Sequence, residues 1–272
     1  MAQPILYHFG ASTCSQKVRQ VLVEKGVAFE SREVNLLAAE QHSPDYVKIN
    51  PEHLVPTLVV DKEILYESTL ICEFIDDHYD GAALRPVDSF ERYRAAAITR
   101  FVDTRIHGKV SGVPTHGILT RGMLSGRTDA EIDAYLAAIP DPDERALRTS
   151  LIRYGVHAPE MRDAMLVLAR FARRADGVLA RSEWFAGKAF GIADAGVLPY
   201  IDRLSALGLG GLWDGSRIPE WLARCRARPS YQEAYTRWMP AALAQSFAGF
   251  AKAVLPELEP LLATAVCAAS EE

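Results

Sequence analysis

The sequence predicts a small α/β domain followed by a larger all-α domain. Three observations carry that expectation. The chain has 272 residues, enough for roughly two domains at ~150 residues each. Short runs that read as strands stop at Tyr66, and helical spacing with helix caps takes over beyond about Asp88. Apolar residues make up 49% and charged residues 24%, a globular balance with no need of staples.

Ile5 to Phe9 is a short apolar run, read as a buried strand. Val18, Val21 and Leu22 follow at i, i+3, i+4 and the pattern stops at Gly26, an amphipathic helix with a glycine C-cap. Val27 to Val34 alternates as a second strand, so the order β-α-β implies a right-handed crossover and parallel pairing. Ser43-Pro44-Asp45 is an N-cap with proline at N1, opening a short helix. Thr57–Val60 and Glu63–Tyr66 form a hairpin about Asp61-Lys62. Ser68 opens a helix with Leu70, Ile71, Phe74, Ile75 and His78 on one face. The order β-α-β-α-β-β-α is that of a thioredoxin-like layer.

Residues 81–88 read as a linker, which divides the chain into 1–80, the linker, and 89–272. Asp88 to Glu91 and Thr128 to Glu131 have the spacing of capping boxes. Asp141-Pro142-Asp143-Glu144 sets a cap, an N1 proline and first-turn acids. A long helix is expected from Pro159 to Leu179, and another from Ile192, bent at Pro199.

The net charge of −5 argues against nucleic-acid binding or a polybasic membrane anchor. Cys14, Cys72, Cys225 and Cys267 include no CxxC pair, and His107, His116 and His157 have no ligand spacing, so no metal is expected. Sparse cysteines and the absence of a basic leader fit a cytoplasmic protein. Lys252, Pro256, Glu257 and Glu259 interrupt the Ala-rich tail, so no bilayer span is expected there.

Chemistry concentrates at three element ends. Ser12, Thr13, Cys14 and Ser15 stand where the first helix begins, and its free N–H groups stabilise a thiolate, of Cys14 or of a ligand. The bland alternative is an ordinary N-cap. Val55-Pro56 precedes a strand, either as an edge marker or as a cis bond that turns the Val55 N–H and C=O toward an extended peptide. Glu67-Ser68 opens a helix, where Ser68 and the helix end can hold a carboxylate while Glu67 accepts from an ammonium. Either residue alone also reads as a cap beside a solvated acid.

In combination and order, these motifs resemble the cytosolic glutathione transferase family across essentially the whole chain. Gln41-His42 resembles that family's glycine-carboxylate contact, and Phe190-Gly191-Ile192-Ala193-Asp194 its capping box, with Gly191 in place of the usual Ser or Thr. Ser12 to Arg19 is similar to the zeta-class pattern. Glu40 to Ser43, Ile49 to Pro51, Glu67 to Glu73 and Leu84 to Asp88, with extra length from about Val110 to Glu160, are more similar to bacterial lignin β-aryl etherases.

The resemblance implies a glutathione transferase fold, glutathione as co-substrate, and a glutathione-binding set of Gln41, His42, Val55, Pro56, Glu67 and Ser68. It leaves Ser12, Ser15 and Cys14 open as thiol activators and treats Tyr7 as structural. The implied reaction is nucleophilic displacement on a hydrophobic, aromatic electrophile, with β-aryl ether cleavage releasing a phenol as one form. The electrophile pocket is expected between the domains, with Phe9, Phe101, Arg105, His107 and His116 as candidates and Trp213, Phe247 and Phe250 behind them. A dimer is implied. Three other readings remain: a thiol-disulfide oxidoreductase using Cys14, an isomerase or dehalogenase of the same fold, and a non-catalytic carrier.

Overall fold

The computed structural model describes residues 3–271. Four strands form one mixed sheet in the order β2-β1-β3-β4. They are β1 (Ile5–His8), β2 (Glu30–Glu33), β3 (Thr57–Val60) and β4 (Glu63–Leu65). β1 runs parallel to β2 and antiparallel to β3, with Tyr7 opposite Thr57. The β3–β4 hairpin turns at Asp61-Lys62, both at positive φ, and pairs Leu58 with Leu65. β2 is shorter than the alternation from Val27 suggests, and all four of its residues are exposed. It is an edge strand kept short and charged, which protects a sheet edge from further pairing.

Two compact units divide the chain. The first comprises residues up to Asp103 with Arg181–Pro199 and Glu220–Pro240. Its sheet and the helices α1 (Thr13–Glu24), α2 (Pro44–Val47), α3 (Ser68–His78) and α4 (Ser89–Phe101) lie wholly within it. Leu6, Val18, Val21, Leu22, Leu58, Ile71, Cys72 and Ile75 are its core. Burial pushes the Cys72 thiol up to about 12, so it is an inert core group.

α1 departs from simple amphipathicity. Every residue from Ser15 to Leu22 is buried. α3 packs against α1, and so does α12 (Pro229–Ala234). Buried polar groups on α1 find protein donors or acceptors in place of water, as Gln20 Nε2 does by donating to Ser230 Oγ at 2.7 Å, although Gln20 Oε1 has no partner. On α3 the buried residues are Ile71, Cys72 and Ile75, whereas Leu70 is 59% exposed. The apolar face read from the sequence is thus rotated, with Leu70 outside it.

The second unit comprises Thr104–Ala180, Tyr200–Pro219 and Ala241–Glu272. Its centre is α9 (Pro159–Leu179), against which α5 (Lys109–Pro114) and α13 (Ala241–Ser270) pack. α6 (Arg121–Leu124), α7 (Asp129–Ala137) and α8 (Pro142–Tyr154) form a satellite core of Leu124, Leu136 and Ile152. Thr128 and Glu131 form a complete capping box for α7, and Asp141 caps α8 through two N–H groups. π-Helical turns occupy Val102–Ile106 and Thr115–Thr120. α13 passes through Pro256 and Pro260 unbroken. Among the described residues it is the one helix long and apolar enough, by length and composition, to cross a membrane. This corrects the expectation that its charges and proline leave no such span.

α10 (Ile192–Ala206) belongs to the first unit up to Pro199 and to the second beyond it. Its start is organised by Asp194, which is fully buried. Asp194 accepts the N–H groups of Phe185, Ala186 and Gly191 and the indole N–H of Trp221, at 2.8–3.1 Å. Burial still pushes its carboxyl up to about 6, against these four donors. Gly191 is explained by space. A Cβ there would lie 2.2 Å from the Leu84 carbonyl oxygen. α11 (Ile218–Arg226) supplies Trp221.

Candidate functional site

The sheet register brings three distant segments to one end of the first unit. The chain leaves the C-terminal end of β1 for Ser12, enters the N-terminal end of β3 from Val55-Pro56, and leaves the C-terminal end of β4 for Glu67-Ser68. β3 is antiparallel to both neighbours, so these three ends coincide.

Ser12 is the N-cap of α1, in extended backbone, and is half-buried. Its Oγ accepts the Ser15 N–H at 3.2 Å, which leaves its own O–H proton to donate elsewhere. Ser15 is fully buried, and its Oγ accepts the Phe9 N–H at 3.4 Å. Cys14 is half-buried beside them. Of the two serines, only Ser12 has accessible surface at the helix start.

The Val55–Pro56 bond is cis. Among the described residues, the Val55 N–H and carbonyl have no hydrogen bond. Its neighbour is fixed instead: Tyr46 Oη and Asn50 Nδ2 both donate to the Leu54 carbonyl, at 2.5 and 2.9 Å. Tyr7 stacks at a tilt on Tyr46, with ring centroids 5.9 Å apart.

Glu67 has φ 65° and ψ 101°, a left-handed backbone that costs about 1–3 kcal/mol for a side-chain-bearing residue and concentrates at functional sites. It is exposed, and Ser68 is half-buried as the first residue of α3. The orphan N–H groups of that turn and the helix field make a ready anion site.

A buried network lies under this end of the unit. Lys17 has no exposed surface, and its Nζ donates to Thr69 Oγ1 at 2.8 Å and to Asp103 Oδ1 at 2.9 Å. Thr69 in turn donates to Asp103 Oδ2 at 2.7 Å. The ammonium ties α1 and the first turn of α3 to the π-helical turn that follows α4. Sequence patterning could not find it, because Asp103 is remote in the chain.

Gln41 and His42 lie on a 3-10 turn, Gln41 half-buried and His42 exposed. Their Nε2 atoms are 3.2 Å apart, and His42 Nδ1 lies 3.1 Å from His53 Nδ1. His53, at φ 57°, joins this turn to the segment before Val55. Sequence reading missed His53, whose only signal was its place between Asn50-Pro51 and Val55-Pro56.

The electrophile candidates fall in both units. Phe9 and Phe101 are half-buried in the first. In the second, Arg105 is exposed, and His107 Nδ1 lies 3.0 Å from the Tyr200 hydroxyl. His116 Nδ1 lies 3.1 Å from Thr120 Oγ1, and burial, then Arg148 and Arg203, push its imidazole down to about 3. His116 is therefore neutral at physiological pH. Trp213 and Phe247 are buried, and the Phe250 ring fills the place of a Gly122 side chain. No group of three or more metal-ligating side chains occurs among the described residues.

The family described as glutathione S-transferase, N-terminal domain, matches residues 6–83. Protein LigF of Sphingobium sp. strain SYK-6 is 28% identical over 241 residues, covering 85% of this chain and 93% of LigF. A probable maleylacetoacetate isomerase of Caenorhabditis elegans is 38% identical over 123 residues, covering 45% of this chain and 54% of its own. The crystal structure of the β-etherase LigF superposes with a TM-score of 0.71 at 25% identity, covering 87% of this chain and all of that one. Residues 6–83 thus carry the N-terminal domain of glutathione S-transferases, and the fold of LigF is followed over 87% of this chain.

Proposed function

We propose that this chain is a glutathione-dependent transferase that activates the glutathione thiol with Ser12 and directs it at a hydrophobic, aromatic electrophile. One observation carries the reading: the coincidence of a helix-start hydroxyl, an unpaired Val55 peptide edge and the strained Glu67-Ser68 helix start at one end of a four-stranded sheet.

Residues 1–80 bind glutathione. Its peptide pairs with Val55 as an added strand. Glu67 takes the ammonium and Ser68 with the α3 N-terminus takes the neighbouring carboxylate. Gln41 and His42 take the glycine carboxylate. Ser12 donates its hydroxyl to the sulfur, and the α1 N-terminus stabilises the thiolate. Ser15, whose hydroxyl already accepts from Phe9 N–H, supports the loop instead.

Residues 89–272 hold the electrophile. The sulfur attacks the carbon bearing an aryl ether, the C–O bond breaks, a phenolate leaves and a C–S bond forms. The β-etherase LigF, similar over 93% of its length, supports this substrate class. Chromatography after incubation with glutathione and a β-aryl ether tests it. Release of phenol is the expected result, and its absence with turnover of chlorodinitrobenzene would refute the ether.

The partial likeness to a maleylacetoacetate isomerase over 45% of this chain supports a second reading, isomerisation by the same activated thiol, for which a maleyl substrate is the control. Cys14 supports thiol-disulfide exchange as a third. Turnover lost in Cys14→Ala, with a stable glutathione adduct on the parent enzyme, would favour it over Ser12.

Dimerisation in the cytoplasm completes the proposal. Leu70, Val87, Phe90 and Tyr93 of the first unit are 59%, 88%, 69% and 72% exposed, an apolar set that a partner chain would cover. Analytical ultracentrifugation should give a dimer, weakened by Phe90→Lys.

A further inference from the structure

Arg19 is fully buried on α1 and its guanidinium is committed to main-chain acceptors. Nη2 donates to the Gly10 carbonyl at 2.8 Å and Nη1 to the Phe9 carbonyl at 3.2 Å. Nε donates to the Ala234 carbonyl at 2.7 Å. Nη1 also meets His8 Nδ1 at 3.0 Å. An arginine can only donate, so His8 Nδ1 accepts and the ring proton sits on Nε2, 2.8 Å from Ser31 Oγ. Burial and the Arg19 charge push His8 down to about 3, which keeps that tautomer neutral.

The two carbonyls gripped by the fork belong to Phe9 and Gly10, the residues between β1 and the Ser12 loop. The Phe9 carbonyl also accepts the Ser12 N–H at 3.1 Å. Trp238 also closes on the loop. A Cβ on Gly10 would lie 2.2 Å from the Trp238 carbonyl oxygen. The Trp238 ring meets His8 edge-on at 4.7 Å and lies 5.6 Å from the Arg19 guanidinium carbon. Its indole N–H is anchored on the Glu233 carbonyl at 2.9 Å. The loop that presents Ser12 is thus held between a fork from α1 and a segment more than two hundred residues further along the chain.

We infer that Arg19 is a positioning residue for Ser12, and that the segment from Ala234 to Trp238 is the fixed wall against which it works. The acidity of the bound glutathione thiol then depends on residues that touch neither sulfur nor electrophile. This rests on Ser12 being the thiol activator. Lysine cannot replace the fork, because one ammonium cannot serve carbonyls on three sides with fixed planar geometry.

The test uses the full chain with Arg19→Lys, Trp238→Phe and Ser12→Ala. Bound thiolate is followed by ultraviolet absorbance against pH, together with the pH profile of kcat/KM for chlorodinitrobenzene and glutathione affinity by calorimetry. Arg19→Lys should raise the apparent thiol pKa and lower kcat/KM near neutral pH by about tenfold or more, in the range expected for a misplaced catalytic group. Glutathione affinity should change much less. Trp238→Phe, which loses the indole anchor and part of the ring against His8 and Arg19 while leaving the Arg19 fork in place, should shift the profile in the same direction by less, and it carries the test if Arg19→Lys does not fold. Profiles of Arg19→Lys and Trp238→Phe that superimpose on the parent, with Ser12→Ala shifted, would overturn this inference and leave the Ser12 reading standing. An unshifted Ser12→Ala would overturn both.

Discussion

The Ser12 corner of the first unit and the stretch from Thr104 to His157 of the second solve opposite problems. The corner buries charge. Lys17 and Arg19 have no exposed surface there and are matched to oxygen acceptors, and elsewhere in the same unit the buried Asp194 is matched to N–H donors. The helical stretch instead uses short elements: two π-turns, four- and six-residue helices and a satellite core of three fully packed residues. A buried polar network is costly when broken and fixes one geometry. Short helices with π-turns adjust their register at small cost, and such turns recur at functional sites. On the proposed function, the rigid region is the one that takes the constant co-substrate, and the adjustable one is suited to an electrophile that varies.

The sharpest way to break the comparison is Asp194→Ala. It orphans three buried N–H groups and an indole, and should cost about 4 kcal/mol in chemical denaturation. A loss near 1 kcal/mol would mean that the buried polar groups of the first unit are weakly coupled. Next comes the serine pair. Ser12→Ala should lower kcat/KM about 100-fold, as for removal of one donor to a developing anion, with about 1 kcal/mol lost from the cap. Ser15→Ala should mainly lower stability. Reversal of the two would move thiol activation to Ser15.

A third prediction uses pH, because each region holds one histidine kept neutral by its surroundings, His8 fully buried and His116 half-buried. His8 and His116 are both pushed down to about 3 from 6.5. Below pH 6.5 the unfolded chain binds protons that the folded chain refuses, so stability falls as pH drops from 6.5 toward 3. His116→Gln should flatten that fall in part while sparing the Ser12 corner. A slope unchanged from the parent would show that His116 does not contribute. The smallest effect belongs to Thr128→Ala, which removes an exposed capping box and should cost about 1 kcal/mol or less with activity retained.

Local rules carried the elements that depend on local chemistry. Ser43, Thr128 and Asp141 cap where their spacing indicates, and the Asp61-Lys62 hairpin and long α9 follow from short windows of sequence. The three site motifs were visible for the same reason. What escaped depends on distant partners. The amphipathic reading of α1 assigned Lys17 and Arg19 no role, because their acceptors, Asp103 and Ala234, lie far along the chain. Gly191 looked like a weakened cap, yet the Leu84 carbonyl leaves no room for a side chain. The π-turns have no period that a helical count would distinguish, and α13 continues past prolines that normally stop a helix.

The Asp61-Lys62 turn, finally, is an attachment point. The Ser12, Val55-Pro56 and Glu67-Ser68 segments all sit at the opposite end of the sheet, and both turn residues are exposed with backbone already at positive φ. A reporter group or short peptide spliced there would extend the hairpin outward while Leu58 still faces Leu65. The enzyme could thus be labelled, immobilised or displayed by this handle with its chemistry left facing the medium.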